Sequence, residues 1–354
     1  MGLPAASRLP ALRGGLLALL AAALFGLSTP LVQKFGQGFG PFTTAALLYA
    51  GAALLGWFLR QPADKEARLS RSDLRWLLAM ALFGAVVGPV ALAWGLQRTS
   101  GISASLMLTL EALFTAVLAW RLYGETMDRR IWAAALMLLA GGLVLVLGQG
   151  LDGAPQMWGL LAVMAATAAW GMDNTLSRAV ANRDPGQVVV AKATLGAMAT
   201  ALVGWLSGES LSDLWQAAGL LAVGVTGYGL SLRFYLLAQR AFGATRTGSV
   251  FAFAPFMGAG LAFALGDRSG HWSLVVGGFL MLAGVLIHLS EGHQHEHVHE
   301  ALEHEHAHTH EDDHHNHRHD PMPRGSHSHW HRHEAITHEH PHVPDLHHGH
   351  KHSR

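Results

Sequence analysis

Residues 16–34 read LLALLAAALFGLSTPLVQK, and residues 160–178 read LLAVMAATAAWGMDNTLSR. Both stretches are apolar, both contain an aromatic residue followed by glycine, and both end on a basic residue. The likeness continues further along, because residues 96–125 and 238–267 each begin close to a Gln-Arg pair and end on glycine followed by an acid. The second half of the chain therefore repeats the first, and this internal repeat decides the fold.

Ten stretches of the chain are apolar and long enough to cross a bilayer. A helix rises 1.5 Å per residue, so about 20 residues span a hydrocarbon core of about 30 Å. The stretches are 14–33, 42–60, 74–97, 101–123, 130–148, 156–178, 186–206, 213–237, 244–266 and 271–290. Five crossings per repeat is an odd number, so the second repeat is inverted relative to the first. The predicted fold is an all-α integral membrane protein with ten transmembrane helices in two inverted five-helix repeats.

The sequence divides into four parts, each with its own composition. They are an N-terminal segment, a first repeat, a second repeat and a tail, at 1–13, 14–148, 156–290 and 291–354. The tail holds all of the 25 histidines except His271 and His288, interleaved with acids and prolines. It has no apolar periodicity, and such segments cannot bury enough apolar surface to fold. We therefore expect a disordered His-rich tail.

Composition excludes several classes of protein. Hydrophobic residues make up 51% of the chain and charged residues 14%, and the polar tail holds the mean hydropathy at +0.26. There is no cysteine, so disulfides and thiolate metal sites are impossible. No Ser/His/Asp grouping, phosphate-binding glycine loop or His-Glu-x-x-His motif occurs. We expect no enzymatic activity, no required cofactor and no ATP-driven step. The expected partners are the lipid bilayer and a small-molecule substrate, with no nucleic acid and the oligomeric state left open.

Basic residues lie mostly on one side of the predicted membrane. With a cytoplasmic N-terminus, the outer loops hold only Lys34, Arg98 and Arg268, whereas the loop at 60–75 alone carries several basic residues inside. The positive-inside rule then places both termini in the cytoplasm, and we expect a bacterial inner-membrane location. A cleaved signal peptide starting near Arg8 is the alternative, which the second copy of the same stretch disfavours.

Motifs at matching places in the two halves carry a family resemblance. They are Phe25-Gly26 with Lys34, Trp170-Gly171 with Arg178, Thr99–Ser105 opening the fourth span, Gly124-Glu125 ending it, and Ala254-Pro255-Phe256 in the ninth. On these motifs, residues 14–290 resemble the EamA-type branch of the drug/metabolite transporter superfamily. The resemblance implies ten helices in two repeats and transport of amino acids, other small metabolites or drugs, often outward.

Two further features refine this resemblance. The stretch 170–178, followed by Asp184-Pro185 and Lys192, resembles a subgroup of the family that also carries a His-rich C-terminal tail. The chain departs from the family pattern at Leu110-Glu111-Ala112, where proline is missing, and at Asp267, where glutamate is more common. The resemblance does not identify the substrate.

Ionisable residues at membrane depth are the first candidates for transport and coupling, because charge there costs about 2.5–3.5 kcal/mol on insertion scales. Glu111 lies near the middle of the fourth span, where a carboxyl group suits proton coupling or a bond between helices. Asp173 and Asn174 lie on the sixth span, within reach of Lys192 on the seventh. An Asp173–Lys192 pair could line a substrate path or serve as a structural pin, and Lys192 could instead extend to the interface.

Glycine and proline interrupt the third and eighth spans. Gly84, Gly88 and Pro89 lie in the third, and residues 224–229 contain three glycines in the eighth. Interrupted helices expose backbone groups to a cavity, although glycine also serves close packing. We expect a cavity between spans 3, 4, 8 and 9, partly by analogy with the family. The predicted lining residues are Trp94, Tyr228, Pro255 and Phe256.

Histidines in the tail form a dense set of candidate metal ligands. Neutral imidazole binds Zn²⁺, Ni²⁺, Co²⁺ and Cu²⁺, and His-x-His in an extended chain places alternate residues on one side. The first predicted ligands are His293, His295, His297, His299, His304, His306, His308, His310, His314, His315, His317 and His319. A tail that responds only to pH is the alternative, since imidazoles charge near pH 6.5.

Three functions fit this sequence. The first is a secondary transporter, exporting a small organic metabolite or amino acid, with a metal-binding regulatory tail. The second is a divalent metal ion transporter with the same fold. The third is a membrane-tethered metal buffer or sensor without transport. The tail indicates metal, whereas the apolar core, with few ligands of its own, indicates an organic solute.

Overall fold

The computed structural model describes most of the bundle and four segments of the tail. The described residues are 5–59, 67–123, 127, 129–148, 154–180, 183–242, 244–269, 271–289, 296–299, 302–308, 327–333 and 336–339. The α-helices are α1 (Ala5–Phe35), α2 (Pro41–Phe58), α3 (Leu74–Met80), α4 (Gly88–Leu96), α5 (Gly101–Met107), α6 (Leu110–Tyr123), α7 (Arg129–Leu147), α8 (Ala154–Ser177), α9 (Pro185–Leu206), α10 (Leu214–Val223), α11 (Ser231–Phe242), α12 (Ala244–Phe251), α13 (Ala254–Ala264) and α14 (Trp272–Leu289). Short 3-10 turns span Arg71–Asp73 and Arg178–Val180.

Seven helices in the described part of the chain are long and apolar enough to cross a membrane. They are Gly14–Phe35, Pro41–Phe58, Arg71–Leu96, Gly101–Tyr123, Arg129–Leu147, Pro185–Leu206 and Leu214–Ala238. Two shorter apolar helices, Ala254–Ala264 and Trp272–Ile287, lie in the ninth and tenth predicted stretches, and α8 in the sixth stretch is not among the seven. The helical membrane bundle is therefore confirmed, and the count of ten spans stays a prediction.

The third span of each predicted repeat contains a π-helical segment. In the first half it runs over Ala81–Val87, between α3 and α4, and in the second half over Gly224–Leu230, between α10 and α11. Pro89 follows the first segment and has no backbone N–H to donate to the helix. The second segment contains three glycines, which lower the stability of a regular α-helix. π-helical turns are rare and occur often at functional sites.

The fourth span of each half is broken at its middle. α5 ends at Met107 and α6 begins at Leu110, just as α12 ends at Phe251 and α13 begins at Ala254. Pro255 explains the second break, because proline lacks an N–H and fits the first turn of a helix. Glu111 occupies the same second position of α6 that Pro255 occupies in α13. The span predicted over 101–123 is present as Gly101–Tyr123, and the turn at Leu108–Thr109 lies within it.

Helix packing follows the symmetry of the repeat. α2 packs against its counterpart α9, and α7 against its counterpart α14. The other large contacts exchange between halves, so that α4 and α6 pack on α8 while α11 and α13 pack on α1. This is the arrangement expected for two structurally related halves that form a site between them.

Large apolar side chains cover the outside of this bundle. Trp205 is 75% exposed and Leu214 is 82% exposed, and many other leucines and tryptophans are also exposed. The centre is filled by fully buried residues such as Leu48, Leu110 and Leu220. Exposed apolar residues on this scale suit contact with lipid rather than water.

Four strands lie within the described part of the tail, for which the sequence predicts disorder. They are β1 (Glu296–His299), β2 (Leu302–His308), β3 (His327–His333) and β4 (Ile336–Glu339). β1 pairs with β4 and β2 with β3, both antiparallel. The tail lacks helical periodicity, but alternation of histidine with other residues has the period of two that strands require.

Candidate transport site

The backbone carbonyl of Gly84, inside the first π-helical segment, connects three spans. The Tyr49 hydroxyl of α2 donates a hydrogen bond to this oxygen. Trp170 Nε1 of α8 donates to the same oxygen at 3.0 Å. The widened π-helical turn makes the carbonyl accessible to neighbouring helices, so the third span is held from two sides at its interruption.

A buried ion pair lies directly against the same segment. The Lys192 ammonium of α9 donates a hydrogen bond to Asp173 Oδ2 of α8, and their side chains are 10% and 8% exposed. A Cβ atom at Gly84 would overlap the Asp173 carboxylate, so glycine makes room for the pair. Asp173 Oδ1 has no hydrogen-bond partner among the described residues. The pair therefore retains an acceptor that a substrate donor or a water molecule can fill.

The residue after Asp173 makes a polar contact with the broken fourth span. Asn174 Nδ2 donates a hydrogen bond to Glu111 Oε1 at 2.7 Å. Glu111 is half-buried and Asn174 is exposed, whereas Asp173 and Lys192 are buried. The Glu111 carboxylate also lies within electrostatic range of both members of the ion pair. The polar site thus has a buried end and an accessible end.

Aromatic rings from both halves pack beside these polar groups. Phe25 of α1 forms edge contacts with Trp170 and Tyr228, at centroid distances of 6.0 and 6.2 Å. Tyr228, inside the second π-helical segment, contacts the Tyr49 ring at 5.6 Å. The four rings form an amphipathic wall, because tyrosine and tryptophan combine apolar faces with polar groups.

The structure brings five of the predicted site residues close together. Glu111, Asp173, Asn174 and Lys192 lie together, and Tyr228 joins the aromatic wall beside them. The other three predicted lining residues have these surroundings: Trp94 stacks under the Arg98 guanidinium at 3.7 Å, Pro255 is buried at the start of α13, and the Phe256 ring lies 6.4 Å from the Phe253 ring. The cavity lined by Trp94, Pro255 and Phe256 stays a prediction.

Sequence reasoning missed Tyr49 and gave Trp170 only a motif role. Both donate hydrogen bonds to Gly84 from the middle of apolar helices. A usable signal existed, since a tyrosine or tryptophan inside the bilayer needs a partner for its polar hydrogen. The partner itself could not be found from sequence, because it is a backbone carbonyl.

Loops from opposite halves meet at one end of the bundle, here named the Asp267 end. Glu209 accepts hydrogen bonds from the backbone N–H of Thr43 at 2.7 Å and of Phe42 at 3.3 Å, at the start of α2. Asp267 accepts one from Ile102 N–H at 3.1 Å, at the start of α5. Carboxylates at helix N-termini satisfy free amides and match the helix dipole. Each acid belongs to the second half and caps a helix of the first.

The opposite end, here named the Asp73 end, is joined by an ion pair and backbone bonds. Arg183 Nε lies 2.9 Å from Asp73 Oδ2. The Asp184 N–H donates to the Ala67 carbonyl at 2.8 Å, and Leu69 N–H donates to Gln187 Oε1 at 3.2 Å. Contacts between the two halves are therefore present at both ends of the bundle.

Asp267 is expected to make the Asp267 end sensitive to acid. Partial burial alone would raise the pKa of Asp267, but hydrogen bonds from the Ser269 side chain and from the amides of Ile102, Ser269 and Gly101 hold the pKa below its ordinary value. A lowered pKa stabilises the fold above the unfolded value of about 3.9, and the effect disappears as pH falls through the folded value. Thermal midpoints of the intact protein and Asp267→Asn should differ at pH 7 and converge below about pH 3. A difference that is constant over this range would contradict the assignment.

The histidines predicted as metal ligands lie in the tail, apart from the polar site. Among the side chains that the structure describes, no three histidine, aspartate or glutamate residues are grouped to hold an ion. Of the predicted ligands, His297, His299, His304, His306 and His308 belong to the tail strands. The others lie outside the described residues: His293, His295, His310, His314, His315, His317 and His319.

Interrupted helices in both halves, beside a polar site that is buried at one end, are typical of a polytopic membrane protein of the transporter class. The EamA-like transporter family matches residues 12–147 and 157–290, and the chain belongs to this family, within the drug/metabolite transporter superfamily. An uncharacterized transporter of Methanothermobacter thermautotrophicus (strain Delta H) is 26% identical over 285 residues, covering 75% of this chain and 83% of the relative. A crystal structure described only as that of a protein shares the fold, with a TM-score of 0.54 and 21% identity, covering 78% of this chain and 94% of the other.

Proposed function

We propose that the protein is a secondary transporter that exports a small organic metabolite or amino acid by alternating access. The observation that supports this most is the placement of Glu111, Asn174, Asp173 and Lys192 beside interruptions in the third and fourth spans. A site with both a carboxylate and an ammonium suits a small solute that carries polar or charged groups. The aromatic wall beside it suits the apolar part of the same solute.

Glu111 is proposed as the coupling residue. It follows the break in the fourth span directly, it is half-buried, and its bond to Asn174 connects the first half to the second. Protonation of the carboxylate would change the charge at this junction while leaving an oxygen to accept the Asn174 bond. A proton can therefore alter the balance between two conformations without breaking the packing of the fourth span.

Glu111→Gln is expected to abolish export while the protein still folds, because glutamine keeps the acceptor for Asn174 but cannot carry a proton. The measurement compares metabolites in the growth medium of cells that express the intact chain or the variant. Asp213→Asn, at an exposed helix cap, is the matched control. Unchanged export by Glu111→Gln would contradict the coupling role, and no solute enriched by the intact chain would contradict organic export.

We further propose a cytoplasmic location for both termini, an inner-membrane location, and a metal-binding regulatory role for residues 291–354. Loop charges support the orientation, since basic residues concentrate on the side of the Asp73 end. The density of imidazoles supports metal binding by the tail. The repeats at 14–148 and 156–290 would form the transport unit, and the tail would report metal status to it.

Transport of a divalent metal ion is the second candidate, and the His-rich tail is the feature that favours it. It is tested by the cellular content of Ni, Co, Zn and Cu in cells that express the intact chain, Glu111→Gln, or a chain ending at Gly292. A change that the intact chain causes and Glu111→Gln abolishes would favour transport of the ion. A change that depends only on the tail would favour a buffer or regulator beside an organic-solute transporter.

A further inference from the structure

Strands β2 and β3 place histidines opposite one another in register. His304 pairs with His331, His306 with His329 and His308 with His327. The intervening pairs contain no histidine on β2: Glu303 is opposite Arg332, Glu305 opposite Trp330 and Ala307 opposite Ser328. We name residues 302–308 and 327–333 together the histidine ladder. Three of the seven pairs thus join histidine to histidine, and at the end of the ladder Leu302 is opposite His333.

This register assigns the histidines to one face of the ladder. Alternate residues of a strand share a face, and residues directly opposite on an antiparallel partner share the same face. The three His–His pairs are therefore consecutive along one face, and the pairs that include Glu303 and Glu305 lie on the other. A one-residue slip of the register would remove every His–His pair, so the arrangement is a property of this pairing and not of composition alone.

We propose that the histidine ladder is a defined binding site for a borderline divalent cation such as Zn²⁺, in which two neighbouring His–His pairs supply the ligands. Opposed positions on antiparallel strands have Cβ atoms about 4.5–5.5 Å apart. Zn–N bonds are about 2.0–2.1 Å long and zinc prefers four ligands, so the pairs of His304 and His306 together match one ion. The proposal deepens, and rests on, the metal-binding role of the tail.

Binding to the ladder would also fold this part of the tail. A two-stranded ladder is at best marginally stable in water, so an ion that binds only the paired state shifts the equilibrium strongly toward pairing. The ladder formed by β1 and β4 has a single His–His pair, His297 with His338. It offers two ligands in register rather than four, and we assign the tighter site to β2 and β3.

The first test measures Zn²⁺ affinity of the full-length protein in detergent, by competition with a chelating dye. The variant His304→Gln/His306→Gln removes two ladder positions on neighbouring pairs. His348→Gln/His350→Gln removes two histidines at the same spacing outside the four strands, as the matched control. The ladder variant should weaken the tightest Zn²⁺ site by more than about tenfold, and the control should leave it unchanged.

The outcomes separate the ladder from the metal-binding tail as a whole. Equal weakening by both variants would overturn the ladder, while the tail would still bind metal through histidines without a defined arrangement. No measurable Zn²⁺ binding by the intact protein would overturn both the ladder and the proposed role of the tail. An unchanged thermal midpoint of the bundle in both variants excludes general misfolding as the cause.

A second measurement reads the register directly, because the chain has no cysteine to interfere with labelling. Nitroxide labels at Glu303→Cys and Arg332→Cys occupy opposed positions on the face away from the histidines. The offset pair Glu303→Cys and Ser328→Cys places the second label about 13 Å further along the strand. Zn²⁺ should increase dipolar broadening more for the opposed pair, and equal broadening of both pairs would overturn the register.

Discussion

Lys192→Met is expected to lower the free energy of unfolding by about 3–5 kcal/mol, because it leaves the buried Asp173 carboxylate without its partner. Asp173 and Lys192 connect neighbouring helices against the first π-helical segment, and methionine has nearly the length of lysine without its charge. Thermal unfolding in detergent, followed by the monodisperse fraction on size-exclusion chromatography, measures the loss.

The double variant Asp173→Leu/Lys192→Met separates structure from transport. It removes both charges, so most of the lost stability should return, since apolar pairs often replace buried ion pairs without cost. We expect export to stay abolished, because the site has lost both members of its buried ion pair. Recovery of both stability and export would instead identify the pair as a structural pin, and a double variant no more stable than Lys192→Met would contradict the pairing itself.

Gly171→Ala is expected to destabilise the bundle by about 1–3 kcal/mol through overpacking. A Cβ atom at Gly171 would lie 2.8 Å from Phe114 Cβ and 3.0 Å from the Thr115 backbone nitrogen. Since α8 would have to move away from α6, the Asn174–Glu111 bond should lengthen and export should fall as well. Thermal midpoint and export of the same variant measure the two effects.

Gly260→Ala is the matched control for this substitution. Gly260 also lies inside a helix, but nothing lies within 4 Å of a Cβ atom there. Alanine at such a site should be neutral or stabilise the helix by about 0.5–1 kcal/mol. Equal losses from Gly171→Ala and Gly260→Ala would show that the close approach of α8 and α6 is unimportant.

Aromatic-glycine pairs illustrate how far sequence reasoning could reach. The repeated Phe25-Gly26 and Trp170-Gly171 revealed the two halves, and the structure shows why the pairs recur: Gly26 lies against the backbone of Ala254, and Gly171 against Phe114 and Thr115. Repetition is visible in a sequence, whereas the helix that each glycine approaches is not. The motif therefore predicted the architecture but not the contacts.

Most features that the sequence did not predict depend on contacts between residues far apart in the chain. The Asp173–Lys192 pair was accessible to prediction because it joins consecutive helices, as its closeness in sequence indicates. The Glu111–Asn174 bond joins residues of opposite halves and depends on α6 and α8 packing closely. The break at Leu108–Thr109 could not be predicted from the sequence, because no proline lies at or next to it. The strands of the tail were not predicted, because its composition indicates disorder. Histidine alternates with other residues there, but this pattern favours a strand only when a second strand pairs with it.

Unequal residues at one pair of matching positions make the symmetry of the bundle imperfect. Glu111 is the second residue of α6, and Pro255 is the second residue of α13. If the halves were identical, exchanging their conformations would produce an inward-facing and an outward-facing protein of equal energy. An ionisable group on one side and a rigid imino ring on the other remove that degeneracy. This mismatch is one of the differences between the halves that make the two orientations of an empty carrier unequal in energy.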